Sequence, residues 1–514
     1  MLARLHSATL HGVDAVELVI EVHTTDGLTR TAVVGLPDAA VKESTERVQA
    51  AVRNSGFRNH EGRTTVNLAP ADLRKEGPSF DLPIALGLIA CTSEGHAPDF
   101  DRFCIIGELA LDGCVRPVKG VLSLAIEARR AGREFIVVPA ANASEAALVE
   151  GIDVLPVRDL RSAWELCLDP DSTPPHTIDR TRLLKAREEY TADFSDVKGQ
   201  AAVKRALEVA AAGFHNVLLI GPPGTGKSML ASRLPGILPP LTEEEAIAVT
   251  KVHSIAGTLE PGRGFIGTRP FRSPHHTISE PGLLGGSTNP RPGEVSLAHH
   301  GVLFLDELPE FRRGTLEVMR QPMESGVATI SRAAGTLSFP ARFMLVAAMN
   351  PCPCGYHGSP QHTCRCSSRQ IENYRQRISG PLLDRIDLHV EVPQIAFREL
   401  RGGVQGEASR AIRERVAAAR ERQLVRYRDW KGPAQSRTNS ALPPKLIAKH
   451  CQPDAEGTRY LENAMEEMKL SARAHDRILK VARTIADLAA SESIQAHHVL
   501  EAIQFRTLDR RLSW

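Results

Sequence analysis

Long apolar runs are missing from this 514-residue chain. No stretch reaches the roughly 18 apolar residues that a membrane helix needs, so no span is expected. A secretory pattern is missing too, because His6, Asp14, Glu17 and Glu21 interrupt the first apolar residues. Aromatic residues are scarce at 4%, so Leu, Val, Ile and Ala must fill the cores. There is little excess charge: the net of +2 gives bulk electrostatics no argument for nucleic acid, and any basic surface must be local. The nine cysteines are an odd number, and four of them crowd into residues 352–366. In a large cytosolic chain such crowding favours metal over a disulfide framework. The expected location is the cytoplasm.

A prior of roughly 100–200 residues per domain suggests about three domains. In residues 1–168, Ala32–Val34, Thr65–Leu68, Phe103–Ile106 and Phe135–Pro139 read as strands. Ala39–Ser55, Leu82–Ala90 and Val121–Ala131 read as helices, which predicts an α/β or α+β domain. Residues 169–189 read as a linker, Pro-rich at first and then charged. Residues 190–395 hold three apolar strands, Asn216–Ile220, Gly301–Leu305 and Phe343–Ala348. Helices between them predict a mostly parallel sheet. Residues 396–514 read as helical over Ala408–Trp430, Thr458–Met468 and Ala472–Ala490, with a loop at Gly432–Ser440.

The first of those strands feeds Gly221-Pro222-Pro223-Gly224-Thr225-Gly226-Lys227-Ser228, a complete G-x-x-x-x-G-K-[ST] loop with a helical pattern behind it. Its glycines let backbone N–H groups close around phosphate without Cβ clashes. Lys227 is expected to reach the β- and γ-phosphates of ATP, and Ser228 to ligate Mg²⁺. Strand Val302–Leu305 ends in Asp306 and Glu307. Asp306 is expected to position Mg²⁺ and Glu307 to act as general base on water.

These elements resemble the AAA+ ATPases. The resemblance implies an adenine-covering segment at Asp196–Gln200, with Val197 and Gly199 against the nucleotide. It implies a sensor-1 residue at Asn350, a trans arginine finger at Arg385 in Ser379–Asp387, and a sensor-2 residue at Arg473, with Arg477 as its rival. A finger donated in trans implies a ring of identical subunits, usually a hexamer. Four longer stretches, Val34–Glu43, Arg74–Pro83, Phe271–Thr277 and Asn350–Gly355, narrow the resemblance to the magnesium-chelatase-like AAA+ proteins and the YifB/ComM family. That resemblance covers essentially the whole chain. It implies an AAA+ parallel-sheet core with a C-terminal helical lid. The implied activity is a DNA helicase that drives branch migration during recombination of imported strands.

The first domain resembles the Lon proteolytic fold, with Gly77-Pro-Ser79 at the nucleophile motif. A serine needs a neighbouring base to attack. The position of Lon's lysine holds Leu122, and Lys119 stands three residues earlier. Proteolysis is therefore not expected, and a scaffolding or nucleic-acid-binding role is. A magnesium-chelatase motor is the main alternative, with an ATP-dependent protease or unfoldase behind it; against the chelatase, such a subunit lacks the appended domain.

Cys352, Cys354, Cys364 and Cys366 form C-x-C-x₉-C-x-C. Four thiolates suit Zn²⁺, although the usual separation within a pair is roughly two to four residues. A reduced, metal-free loop is the alternative, and His357 and His362 are reserve ligands. Such a knuckle could brace Asn350 or touch DNA. Val327–Arg332 and Thr336–Phe339 predict a hairpin with Arg332 near its tip, placed to meet DNA phosphate in a ring pore. Arg269–His276 and Gly282–Arg291 suit a mobile pore loop. His275 and His276, as neighbours on an extended chain, are expected to point opposite ways. Residues 398–437 carry 11 Lys or Arg against 5 acids. Two readings stand equal: a basic face including Arg413 and Arg420 for DNA, or a solvated helix with local pairs such as Glu407–Arg410.

Overall fold

The computed structural model describes the chain except residues 74, 76, 94, 96, 180–189, 191, 261, 263, 287–290, 333–334, 360–361, 395–405, 432–436 and 509–514, and the side chains of residues 39, 40, 42, 332 and 335. The chain begins with a hairpin that the sequence reading lacks: β1 (Leu2–His11) and β2 (Asp14–Thr25), antiparallel through Leu5↔Ile20. β3 (Arg30–Val34), α1 (Ala39–Asn54) and β4 (Arg63–Ala69) follow, and the sheet order is β1-β2-β4-β3. α2 (Asp81–Thr92) is buried around nearly all of its circumference. A Cβ at Gly87 would lie 2.6 Å from Val22, so glycine permits the close approach of helix to sheet. A second, parallel sheet holds β5 (Phe103–Ile105), β8 (Phe135–Pro139) and β9 (Asp153–Val157) in the order β5-β8-β9. Between β5 and β8 come the short pair β6 (Glu108–Leu109) and β7 (Val115–Arg116), and then α3 (Val121–Arg130). Helices α4 (Ala143–Ala146) and α5 (Leu160–Leu168) complete this part.

The next sheet is wholly parallel, in the order β11-β12-β15-β10-β16. Its members are β10 (Val217–Ile220), β11 (Phe271–Arg272), β12 (Val302–Leu305), β15 (Met344–Met349) and β16 (Leu388–Glu391). α6 (Ala201–Gly213) and α7 (Lys227–Arg233) pack on this sheet, while α8 (Glu243–Ala256) packs against α3. The register pairs Ile220 with Met349 and Leu305 with Ala347. Parallel neighbours end on one edge, so Gly221, Asp306 and Asn350 emerge side by side there. β13 (Val327–Arg332) and β14 (Gly335–Pro340) make the antiparallel hairpin expected before β15.

The last part is helical: α9 (Ser409–Arg426), α10 (Pro444–His450), α11 (Ala455–Met468), α12 (Ala472–Leu488) and α13 (Ala496–Gln504). Ile412, Val416, Ile478 and Ile485 share one core with Val217, Leu219 and Val346 of the sheet. The face reading of α9 needs correction. Arg420 turns inward over Phe214, 5.9 Å from the ring centroid, and reaches the Ala211 carbonyl. Glu407 pairs with Arg415, while Arg410 pairs with Glu414, so local ion pairs prevail but with other partners. Residues 398–405 and 432–436 of that basic stretch lie outside the described residues.

The first part is docked on the part that carries the parallel five-stranded sheet. Ala8, Val121, Leu122 and Ala125 share a core with Leu241, Ala246, Val249 and Phe265. Asp14 pairs with Lys251 at 2.8 Å, and Gly120 N donates to Ser254 Oγ at 2.9 Å. The buried Glu145 accepts from Leu122 N at 2.8 Å and also from Ser254 Oγ.

Candidate nucleotide site

The loop Gly221–Ser228 joins β10 to α7. Gly221 sits against Val392 just beyond β16, where a Cβ would strike the Val392 carbonyl. Gly224 and Gly226 hold φ of 78° and 84°, the left-handed region that glycine favours. The Lys227 amine donates to the carbonyls of Gly221 at 2.7 Å and Pro222 at 2.9 Å, and to Asn350 Oδ1 at 3.2 Å. Burial lowers its pKa, and the charges of Asp306 and Glu307 oppose that shift. Ser228 Oγ donates to Asp306 Oδ2 at 2.6 Å. Asp306 Oδ1 accepts from Glu307 N at 2.9 Å, and Glu307 has φ of 53°. The Glu307 side chain is half-exposed and points away from Ser228 towards His276. A hydroxyl beside a carboxylate, a lysine over a glycine loop and a second, outward carboxylate suit a Mg²⁺–nucleotide.

The segment with Val197 and Gly199 lies on this loop. Gln200 Nε2 donates to the Thr225 carbonyl at 2.9 Å, and Lys204 Nζ donates to the Val197 carbonyl. His276 Nδ1 is 3.6 Å from Glu307 Oε2, and its ring stands 4.1 Å from that of His275. The two imidazoles therefore do not diverge as expected. The chain turns at 276–277, and the alternation of an extended strand does not apply there.

Arg385 and Arg473 lie elsewhere. Both line a surface cavity of about 710 Å³ with Glu324, Asp384, Arg477 and Lys480, and no residue of loop 221–228 borders it. Arg385 pairs with Glu324 rather than with Asp384 or Asp387, and it donates to the Pro381 carbonyl at 2.6 Å. Arg473 is exposed, 3.9 Å from Asp384. Arg477 is tied to the buried Asp387. Burial alone would raise the Asp387 carboxyl, but Arg477 and the hydrogen bond with His215 hold it well below the usual carboxylate range. Asn216 joins the two regions. Its Nδ2 donates to the Arg385 carbonyl at 3.0 Å, and its Oδ1 accepts from Leu345 N at 2.9 Å.

The sulfurs of Cys352, Cys354, Cys364 and Cys366 all lie within 4.8 Å of one another. Three of their separations are 3.4, 3.6 and 3.7 Å. A zinc tetrahedron with bonds near 2.3 Å has edges of about 3.8 Å, so the donor set fits. Backbone N–H groups of Arg365 and Tyr356 draw the Cys354 thiol down to about 6. A backbone hydrogen bond lowers Cys366, yet burial and the neighbouring thiols outweigh it and push it up to about 12. A cation would let all four ionise together. No histidine joins this group among the described residues.

The Lys119 side chain packs on Gly257 and lines a small cavity that Ser79 does not border. The side chain of Arg332 lies outside the described residues. Among those residues, no helix is long and apolar enough to cross a membrane. Glu324 was missing from the sequence reading, and Gln200, Asn216 and His276 appeared there without the contacts they make. A polar Asn216 at the head of an apolar strand was the one visible signal.

The family described as "Magnesium chelatase, subunit ChlI" matches residues 193–400. "Subunit ChlI of Mg-chelatase" matches 20–142, and the corresponding C-terminal family matches 406–506. The YifB protein of Salmonella typhimurium is 44% identical over 513 residues, covering 99% of this chain and 98% of its own. This chain belongs to the YifB/ComM family of magnesium-chelatase-like AAA+ proteins. Another relative, "Competence protein ComM" of Haemophilus influenzae, is also 44% identical over 513 residues, with 99% and 98% covered. The "Magnesium-chelatase 67 kDa subunit" of Heliobacterium mobile is 26% identical and covers 40% of this chain and 35% of its own. Full-length likeness therefore lies with YifB and ComM. The model matched at 20–142 is also named for a chelatase subunit, whereas the chelatase subunits of Heliobacterium mobile and Rhodobacter capsulatus cover 40% and 31% of this chain.

Proposed function

We propose that this YifB/ComM protein hydrolyses ATP in a cytoplasmic ring of identical subunits, a hexamer by family likeness, and uses the energy to migrate DNA branches in recombination or natural transformation. The convergence of Lys227, Ser228, Asp306, Glu307 and Asn350 on one sheet edge carries the ATPase reading. Bound Mg²⁺–ATP supplies the phosphoanhydride and the Lewis acid. Lys227 holds the terminal phosphates, and Ser228 and Asp306 hold the metal. Val197 and Gly199 cover the base. Asn350 orients the attacking water, and Glu307 takes its proton. Arg385, in a cavity away from this loop, serves the neighbouring subunit's nucleotide, and Arg473, in the same cavity, is the sensor-2 residue. The hairpin bearing Arg332 is the DNA contact. Cys352, Cys354, Cys364 and Cys366 hold zinc as a structural brace. The domain over 1–168, Lon-like but without a serine–lysine pair, docks on the ATPase core over 190–395, joined by linker 169–189, and residues 396–514 form the lid.

The DNA assignment rests on full-length likeness to a protein named for competence. DNA-stimulated ATP hydrolysis at low salt tests it, and a rate indifferent to DNA together with no DNA binding refutes it. Matches to chelatase subunits keep a second reading, a porphyrin-chelatase motor. A porphyrin-dependent rise in ATPase rate with partner proteins would favour that one.

A further inference from the structure

We propose that the cysteine knuckle forms a wall of the nucleotide site, so that metal at the four cysteines and nucleotide at loop 221–228 strengthen each other's binding. The inference rests on the metal and ATP assignments above and adds a coupling between them.

Two contacts carry it. A Cβ at Gly355, between the second and third cysteines, would lie 2.6 Å from Pro223 Cδ, and 3.9 Å from Asn350 Cγ. The knuckle backbone therefore rests directly on the phosphate loop. The second link is covalent: only Pro351 separates Asn350, which accepts from Lys227 at 3.2 Å, from the fully buried Cys352. Around that link, Gly355 N closes a turn on the Cys352 carbonyl at 3.0 Å, and His357 N donates to Cys352 Sγ at 3.3 Å. Arg375 reaches the Pro351 carbonyl at 3.4 Å, and the buried Tyr374 hydroxyl hydrogen bonds the Asn350 backbone. Four sulfurs drawn onto one ion would fix the turn at residues 352–355, and so the surface against which Pro223 packs. Without the ion that surface loses its tie to Cys364 and Cys366, and the loop loses one wall. Linkage then requires the reciprocal effect, tighter metal binding when nucleotide is present.

The test uses the full chain loaded with zinc and the same protein stripped by a chelator. The stripped protein should bind a non-hydrolysable ATP analogue at least about 5-fold more weakly, and the analogue should raise zinc affinity by the same factor. Gly355→Ala and Gly358→Ala separate contact from backbone strain. Both glycines have positive φ, 85° and 77°, but a Cβ at Gly358 meets nothing within 4 Å. Both variants should keep stoichiometric zinc, and only Gly355→Ala should lose analogue affinity. Equal affinities in loaded and stripped protein, or equal behaviour of the two variants, overturn the coupling. Failure to bind zinc at all overturns the proposal through its metal assignment, and failure of loaded protein to bind the analogue overturns it through its ATP assignment.

Discussion

If Arg385 serves a neighbour's nucleotide, two inactive variants should repair each other. Lys227→Ala removes the phosphate contact in its own subunit but leaves Arg385 in place. Arg385→Ala does the reverse. Each alone should lower ATP hydrolysis by about 1000-fold, the scale of a lost arginine finger. Glu324 is 61% exposed but the Arg385 side chain only 10%, so calorimetry should accompany the assay, and a Tm within a few degrees of the native protein assigns the second loss to catalysis. In rings assembled at random from equal amounts, an interface works when one side brings Lys227 and the other Arg385. Half of the subunits satisfy each condition, so about one quarter of interfaces regain activity. The assay is steady-state phosphate release after co-assembly, with mixed rings verified by mass. A mixture that stays at background although mixed rings are present would refute a shared site. Full activity of Arg385→Ala alone would refute the finger assignment.

Asn216→Ala leaves the Arg385 carbonyl and the Leu345 N–H without their partner, a cost of about 2 kcal/mol. At about 2–4 °C per kcal/mol for a part of this size, calorimetry should show Tm lower by about 4–8 °C. ATPase rate should fall as well, and an unchanged Tm and rate would contradict the role given to Asn216. Asp387→Asn unpairs Arg477 and should cost about 3 kcal/mol at pH 7. Because the folded carboxyl is held low, its stabilisation is complete above the unfolded value near 4 and fades only as the pH falls from there towards the folded value. Urea titrations should therefore find the full difference between the two proteins at pH 5 and a smaller one at pH 3.

The phosphate loop, the two acids after β12 and Asn350 were legible because each is a local pattern at the end of an apolar strand. Parallel pairing then brings them together without further information. Pairing across long sequence distance was not legible. The β1–β2 hairpin carries its alternation in an N-terminal stretch whose apolar residues are broken by His6, Glu17 and Glu21. Arg385 meets Glu324 from 61 residues away, and no helical spacing links them. Arg420 has the composition of a solvated helix face, yet the aromatic ring of Phe214, the left-handed residue that ends α6, draws it inward. The adjacent rings of His275 and His276 show the same limit at shorter range: one turn in the chain reverses an expectation built on strand geometry.

ATP chemistry at Lys227 is proposed to move DNA. The direct measurement is strand release from a labelled synthetic four-way junction, with ATP, with a non-hydrolysable analogue, and with Lys227→Ala. Release with ATP and the native protein alone is the predicted result. A junction left intact by protein that hydrolyses ATP normally would contradict the account.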